Sequence, residues 1–274
     1  MAPGVDLVVN TFERTYRTVL APGFFDSIVA QNRFAFARRL ALINNVSDPP
    51  DARRRAQALI AAGEIDGCVE VAGELGRALS LAGLTRAQLG RIAHYSDCSL
   101  VAVTLDGPEH VLYWDADVSL QAAHDWITPS LALLAGDPRV LVANPRWTMD
   151  ERMAQVTLFR RGEFALGRGF SDQMYLVRRR DFAAPIYGQR CAAALRFPMS
   201  AVAPVFEARV DAHMRHHDLL RATYLQARYT HPVMPSGTAT EQLGVAERAR
   251  GLRNRVVLKA IHVSPWKKQC CLYM

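Results

Sequence analysis

Four consecutive apolar residues, Val111, Leu112, Tyr113 and Trp114, run straight into Asp115 and Asp117, and this stretch constrains the chain more than any other. Aromatic and branched side chains without polar alternation predict a strand covered on both faces, the kind found in sheets flanked by helices. In open α/β sheets ligands bind beyond the carboxyl ends of the strands, which is where this run delivers its two carboxylates. Positions i and i+2 of an extended segment point the same way, so Asp115 and Asp117 can converge on one divalent cation. The tripeptide alone also fits a solvated acidic turn. The order of the other segments favours the first reading.

The chain has 274 residues, half of them apolar, enough for one large α/β domain or two small ones. No apolar run approaches the ~18 residues of a membrane span. Asp6, Glu13, Arg14 and Arg17 occupy the first twenty residues in place of a signal peptide, so a cytoplasmic protein is expected. The net charge of +7 rests on arginine, because Lys259, Lys267 and Lys268 are the only lysines. That pattern matches a GC-rich bacterial genome, and with no base-reading motif present no nucleic-acid partner is expected. Cys68, Cys98, Cys191, Cys270 and Cys271 form no Cys-x-x-Cys pair, which excludes a zinc ribbon or a disulfide framework.

Taken in order, residues 6–10 read as a strand that opens into a polar turn without a glycine-rich phosphate loop. Residues 38–45 read as a second strand, 51–62 as a helix and 67–72 as a third, shorter strand. One or two short helices fit 74–93, and 99–104 fits a further strand or an extension before the central one. Asp106, Gly107 and Pro108 then form a turn ahead of the aspartate strand. Beyond it come a helix over 129–134, a strand over 139–145, a strand developing within 169–177, a helix over 205–224 and a last short strand over 226–231. From about residue 236 the chain becomes basic and helical, with Trp266, Lys267 and Lys268 near its end. This extension fits a helix packed on the domain or a peripheral membrane contact made of cations beside one aromatic.

The turn Asn10, Thr11, Phe12, Glu13, Arg14, the turn Asn44 to Asp48, and the apolar strand entering Asp115-Ala116-Asp117 together resemble a GT-A fold glycosyltransferase, most similar to the inverting family 2 type. The similarity continues through Phe206 and Glu207, the helix carrying Arg215, and Tyr229, Thr230 and His231. The resemblance implies an α/β fold, a single GT-A-like (Rossmann-like) domain over 1–235 with a mixed central sheet flanked by helices. Its nucleotide-binding half would span about 1–120 and its acceptor-binding half about 121–235, with 236–274 as a basic helical extension.

It further implies that Thr11, Phe12, Glu13, Arg14 and Asn45 hold the nucleobase and ribose, with Arg91 nearby. The family usually has an aspartate where Asn45 stands, which leaves the base open. Asp115 and Ala116 would lie beside the ribose, and Asp115, Asp117 and His231 would bind Mg²⁺ or Mn²⁺. Glu207 would take the acceptor's proton, with Asp211 one turn later as its substitute. Ser171, Asp172 and Gln173 resemble the acceptor-facing segment, and Trp147, in a loop, could stack on a sugar ring. The donor would be a nucleotide-sugar and the acceptor a saccharide or other hydroxyl compound, in bacterial polysaccharide or glycoconjugate synthesis.

Two other readings remain open. A haloacid-dehalogenase-type phosphatase also uses Asp-x-Asp after an apolar strand, but it needs a downstream lysine followed by an acidic pair, and the first lysine is Lys259. A non-catalytic sugar-nucleotide-binding module would keep the same carboxylates. His213, His216 and His217, with Asp218, could bind a transition metal, but lack the His-Glu-x-x-His pattern and read as a solvated basic helix face.

Overall fold

The computed structural model describes residues 4–148, 157–231 and 244–263. Its core is one mixed ten-stranded sheet in the order β3-β2-β1-β4-β9-β6-β10-β8-β7, with β5 paired to β10. The strands are β1 (Val5–Thr11), β2 (Arg38–Ile43), β3 (Gly67–Glu70), β4 (His110–Asp115), β5 (Ser119–Leu120), β6 (Val140–Trp147), β7 (Thr157–Arg161), β8 (Phe164–Gly167), β9 (Met174–Arg178) and β10 (Leu220–Thr230). The helices are α1 (Tyr16–Val19), α2 (Phe24–Asn32), α3 (Pro49–Ala61), α4 (Val71–Ala82), α5 (Arg86–Leu89), α6 (His94–Thr104), α7 (Ile127–Gly136), α8 (Arg179–Phe182), α9 (Phe206–His216) and α10 (Val245–Val263). Two short 3₁₀ turns, Ala192–Arg196 and Pro198–Ala201, precede α9.

The aspartate strand sits at the centre as expected. β4 runs parallel to β1 on one side and antiparallel to β9 on the other, and Val111, Leu112, Tyr113 and Trp114 are all buried. Alternate residues feed two cores. Leu112 and Trp114 pack with Leu7, Val9, Phe25 and Trp126 on one face, and Val111 and Tyr113 pack with Val8, Tyr175, Phe182 and Phe206 on the other. Covering both faces removes polar alternation from the strand, which is why it reads as a continuous apolar run.

Three expectations are corrected. Residues 99–104 are helical, as the end of α6, which is buried from Ser96 to Thr104. A helix enclosed on every side loses the 3.6-residue stripe that would distinguish it from a strand. The helix expected over 205–224 ends at His216, Asp218 adopts φ 53°, and the chain turns into the eleven-residue β10. Val71 and Ala72, read as the end of the third strand, begin α4. In addition, β7 and β8 form a hairpin about Gly162, with Arg161 paired to Phe164.

Candidate functional site

The registers of β1, β4 and β10 build the site. Asn10 pairs with Asp115 across β1 and β4, and the Asn10 Nδ2 donates to Asp115 Oδ1 at 3.3 Å. Val118 N bonds to Asp115 O, and Trp114 Nε1 donates to Val118 O at 3.1 Å, folding the acidic turn back onto the core. The chain then enters β5, where Ser119 pairs with Thr230 and Leu120 with Tyr229. Since His231 follows Thr230, this antiparallel pairing delivers it to Asp117, with Nε2 3.2 Å from Oδ1.

Asp115, Asp117 and His231 therefore offer donor atoms within 4.8 Å of one another, all three side chains part-buried. Two carboxylates and one imidazole fit a divalent cation, and the imidazole suits Mn²⁺ better than Mg²⁺, which favours an all-oxygen shell. The electrostatics point the same way. Burial, then the neighbouring Asp117, lift the Asp115 carboxyl to about 7 against the Asn10 hydrogen bond. The Asp117 carboxylate raises the His231 pKa against the cost of burial. Clustered acids that destabilise one another's charge are relieved by a cation.

Around the first two turns, Thr11 is buried at the end of β1, its Oγ1 without a hydrogen-bond partner among the described residues. Phe12 is half-buried and Arg14 exposed. Glu13 accepts hydrogen bonds from Ser47 N at 2.6 Å and Ser47 Oγ at 2.9 Å, which clamps the first turn to the second and lowers its pKa. Asn45 is exposed with φ 49°, a left-handed conformation that asparagine tolerates better than most residues. Beside it, beyond the carboxyl ends of β2 and β3, opens a cavity of about 430 Å³ lined by Asn44, Asn45, Glu70, Arg86, His94 and Asp97 among others.

Arg91 is placed differently from the expectation. It lies in the turn before α6, and its guanidinium engages Glu247 of α10 at 2.8 Å. An arginine committed to a carboxylate from the far end of the chain is a tether for that helix, and it does not line the cavity.

On the other side of β4, Gln173 O accepts from Asp115 N, and Gln173 Oε1 accepts from Tyr229 OH at 3.0 Å. Gln173 thus ties β4 to β10 beside the cluster of Asp115, Asp117 and His231. Ser171, part-buried, neighbours the Tyr229 hydroxyl and opposes the rise that burial causes in its pKa. Burial lifts the Asp172 carboxyl to about 6, with the His231 charge opposing, and Asp172 in turn acts on Asp115 and Glu207. Trp147 is the last residue of β6, paired with Tyr229 and packed against the first core, so it is a strand residue and not a loop residue.

Glu207 and Asp211 share a face of α9 but not an environment. Glu207 is half-buried and makes no hydrogen bond among the described residues; burial, then the like charge of Asp172, holds its carboxyl well above the usual range against Arg196 and Arg221. Asp211 is fully buried and saturated: Arg196 Nη1 donates to Oδ2 at 2.7 Å, and Arg215 Nε donates to both oxygens. Burial raises its pKa, but the two guanidiniums outweigh it and the net shift is downward. A carboxylate so paired is a poor proton acceptor, which corrects its place as substitute base. Of the face read as solvated, His216, His217 and Asp218 are exposed and His213 is part-buried, while Arg209, Asp211, Met214 and Arg215 of α9 are buried.

Sequence reasoning missed Asn10 as the partner of Asp115, and Arg196 and Arg215 as the pair holding Asp211. The i, i+4 spacing of Asp211 and Arg215 was a signal for the last. Lys259, the lysine a phosphatase site would need, is exposed on α10.

Comparison with known proteins follows this geometry. No protein-family model matches the chain, and no curated protein sequence matches it. Solved structures do. Glucosyl-3-phosphoglycerate synthase from Mycobacterium tuberculosis, in complex with Mn²⁺, UDP and glucosyl-3-phosphoglycerate, is similar with a TM-score of 0.50 at 13% identity, over 93% of this chain and 79% of that one. GalNAc-T7 with UDP, GalNAc and Mn²⁺ gives 0.50 at 10% identity, over 92% of this chain and 47% of that one. A mannosyltransferase from Pyrobaculum calidifontis with GDP-Man and Mn²⁺ gives 0.52 at 16% identity, over 99% and 69%. The chain has the GT-A fold of nucleotide-sugar glycosyltransferases, as the resemblance implied.

Proposed function

We propose that the chain is a metal-dependent glycosyltransferase that moves a sugar from a nucleotide-sugar to an acceptor hydroxyl with inversion, in bacterial polysaccharide or glycoconjugate synthesis. One observation carries the reading: Asp115, Asp117 and His231 converge at the carboxyl edge of the central strands. Glu207, with no hydrogen bond among the described residues, supplies a carboxyl that burial and the like charge of Asp172 hold well above the usual range. The similar structures hold a nucleotide or nucleotide-sugar with Mn²⁺ in the same fold, which supports a donor of that class.

The residues divide the work as follows. Asp115, Asp117 and His231 would hold Mn²⁺ or Mg²⁺, whose charge offsets the negative charge that the nucleoside diphosphate gains on leaving. The turns at Thr11 to Arg14 and at Asn45 flank the nucleoside, and the cavity beside Asn45 suits a planar base with polar edges. Glu207 accepts the proton of the acceptor hydroxyl as its oxygen attacks the anomeric carbon, and the carbon–diphosphate bond breaks on the opposite face. A single base acting in one displacement inverts the configuration. Ser171 and Asp172 line the acceptor side. Asp211, locked between Arg196 and Arg215, positions the helix that presents Glu207.

The test is release of nucleoside diphosphate from a panel of nucleotide-sugars with and without Mn²⁺, using acceptor mixtures. Metal-dependent release that Asp117→Ala abolishes supports the reading. Metal-dependent binding of nucleotide without release, across the panel, would favour a binding module.

A further inference from the structure

The outward face of α10 combines two features that the transferase site does not use. Its inward face is fixed by Glu247, which pairs with Arg91, by Gly251, packed against Ala201, and by Asn254, whose Nδ2 donates to Ser200 Oγ at 3.3 Å. These positions, at i, i+4 and i+7, define one side of the helix. Turned away from it are Val245, Leu252 and Val256, at i, i+7 and i+11, with relative exposures of 86%, 59% and 59%. Arg248, Arg255 and Lys259 repeat that spacing three residues on and are exposed, and Arg253 flanks the stripe on its other side.

Charge distinguishes this face from an ordinary solvated helix. Glu247 is the only carboxylate in α10, and it is consumed on the inner side by Arg91. The outer side is therefore an apolar stripe edged by exposed cations, of which Arg253, Arg255 and Lys259 have no carboxylate partner among the described residues. A second copy of the chain would bring like charges together. An RNA partner would be served by cations and aromatic rings, and the stripe is aliphatic. An apolar stripe edged by arginine and lysine is the arrangement that lies in a lipid interface, with aliphatic groups among the acyl chains and cations on anionic headgroups.

We propose that the outward face of α10 binds an anionic lipid surface, seating the domain on a membrane without a span. Among the described residues no helix is long and apolar enough to cross a membrane. The proposal does not depend on the transferase reading.

The test is co-sedimentation of the full chain with vesicles of phosphatidylcholine alone and of phosphatidylcholine with about 30 mol% phosphatidylglycerol. The expected result is at least ~10-fold stronger binding to the anionic vesicles, lost at high salt. Two variants then localise the contact: Arg253→Gln with Arg255→Gln and Lys259→Gln, and Leu252→Ser with Val256→Ser. All five side chains are exposed, so both variants should keep the wild-type circular dichroism and lose most of the vesicle binding. Equal binding to both vesicle types overturns the proposal. So does full retention of anionic binding in both variants, or binding of a short single-stranded RNA in preference to vesicles.

Discussion

His231 stands 3.2 Å from Asp117 although 114 positions of sequence separate the two. The pairing of β5 with β10 closes that distance, so the candidate metal-ligand cluster of Asp115, Asp117 and His231 forms only once these strands pair. Asp117→Ala is expected to abolish Mn²⁺ binding, and His231→Ala to weaken it by more than the ~10-fold that loss of an outer partner costs. Isothermal titration with Mn²⁺ on the nucleotide-loaded protein checks both. Unchanged affinity in Asp117→Ala would remove the centre from this location.

Glu207→Gln keeps size and hydrogen bonding but removes the proton acceptor. It should lower kcat by roughly 10²- to 10⁴-fold while leaving the donor KM near wild type. The pH profile adds a second reading. Only the unprotonated carboxylate can act, and burial with the like charge of Asp172 holds its pKa well above the usual range. Activity should therefore fall on acidification at a pH well above that of an ordinary glutamate, and that limb should vanish in the variant. A Gln variant with wild-type rates and an unaltered profile would assign the base elsewhere.

The parts of this site that depend on local chemistry were legible before the fold was known. Val111 to Trp114 announced a covered strand, and Asp115 marks its carboxyl end, where Asp117 and His231 gather beside it. What failed depends on distant partners. The side chain of Asp211 reads as a surface acid until Arg196, fifteen residues upstream, folds over it. Arg91 reads as a nucleotide contact until α10 returns Glu247 to it. The first half of β10 was hidden because Leu220 to Tyr224 follows a helix without a glycine or proline to mark the break, which Asp218 supplies with φ 53°. Enclosure also erased the amphipathic stripe of α6, whose residues from Ser96 to Thr104 are all buried.

Asp211→Asn tests whether that carboxylate is structural. Removing its charge leaves buried Arg215 and part-buried Arg196 without compensation, which costs about 3 kcal/mol of unfolding free energy. The sign with pH follows from the lowered pKa of Asp211. A carboxyl with a depressed native pKa stabilises the fold above its unfolded value and loses that contribution as pH falls through its folded value. The gap between wild type and variant should thus be full near neutrality and close at pH below about 4. Urea unfolding of both proteins at several pH values measures it, and a constant gap would show that ionisation is not its source.

Arg91→Ala separates tethering from nucleotide recognition. Its guanidinium donates to both Glu247 oxygens, from Nε at 3.1 Å and from Nη2 at 2.8 Å, and the pair is half-exposed on the arginine side. A solvent-screened ion pair adds little to stability, so the domain should fold with nearly unchanged stability. The donor KM should stay within about twofold of wild type, because Arg91 does not line the cavity beside Asn45. The end of α10 should open instead, with faster amide hydrogen exchange over its first two turns and unaltered protection in β1 and β4. A rise in donor KM with α10 protection unchanged would return Arg91 to the nucleotide site and leave the helix held by Asn254 and Gly251 alone.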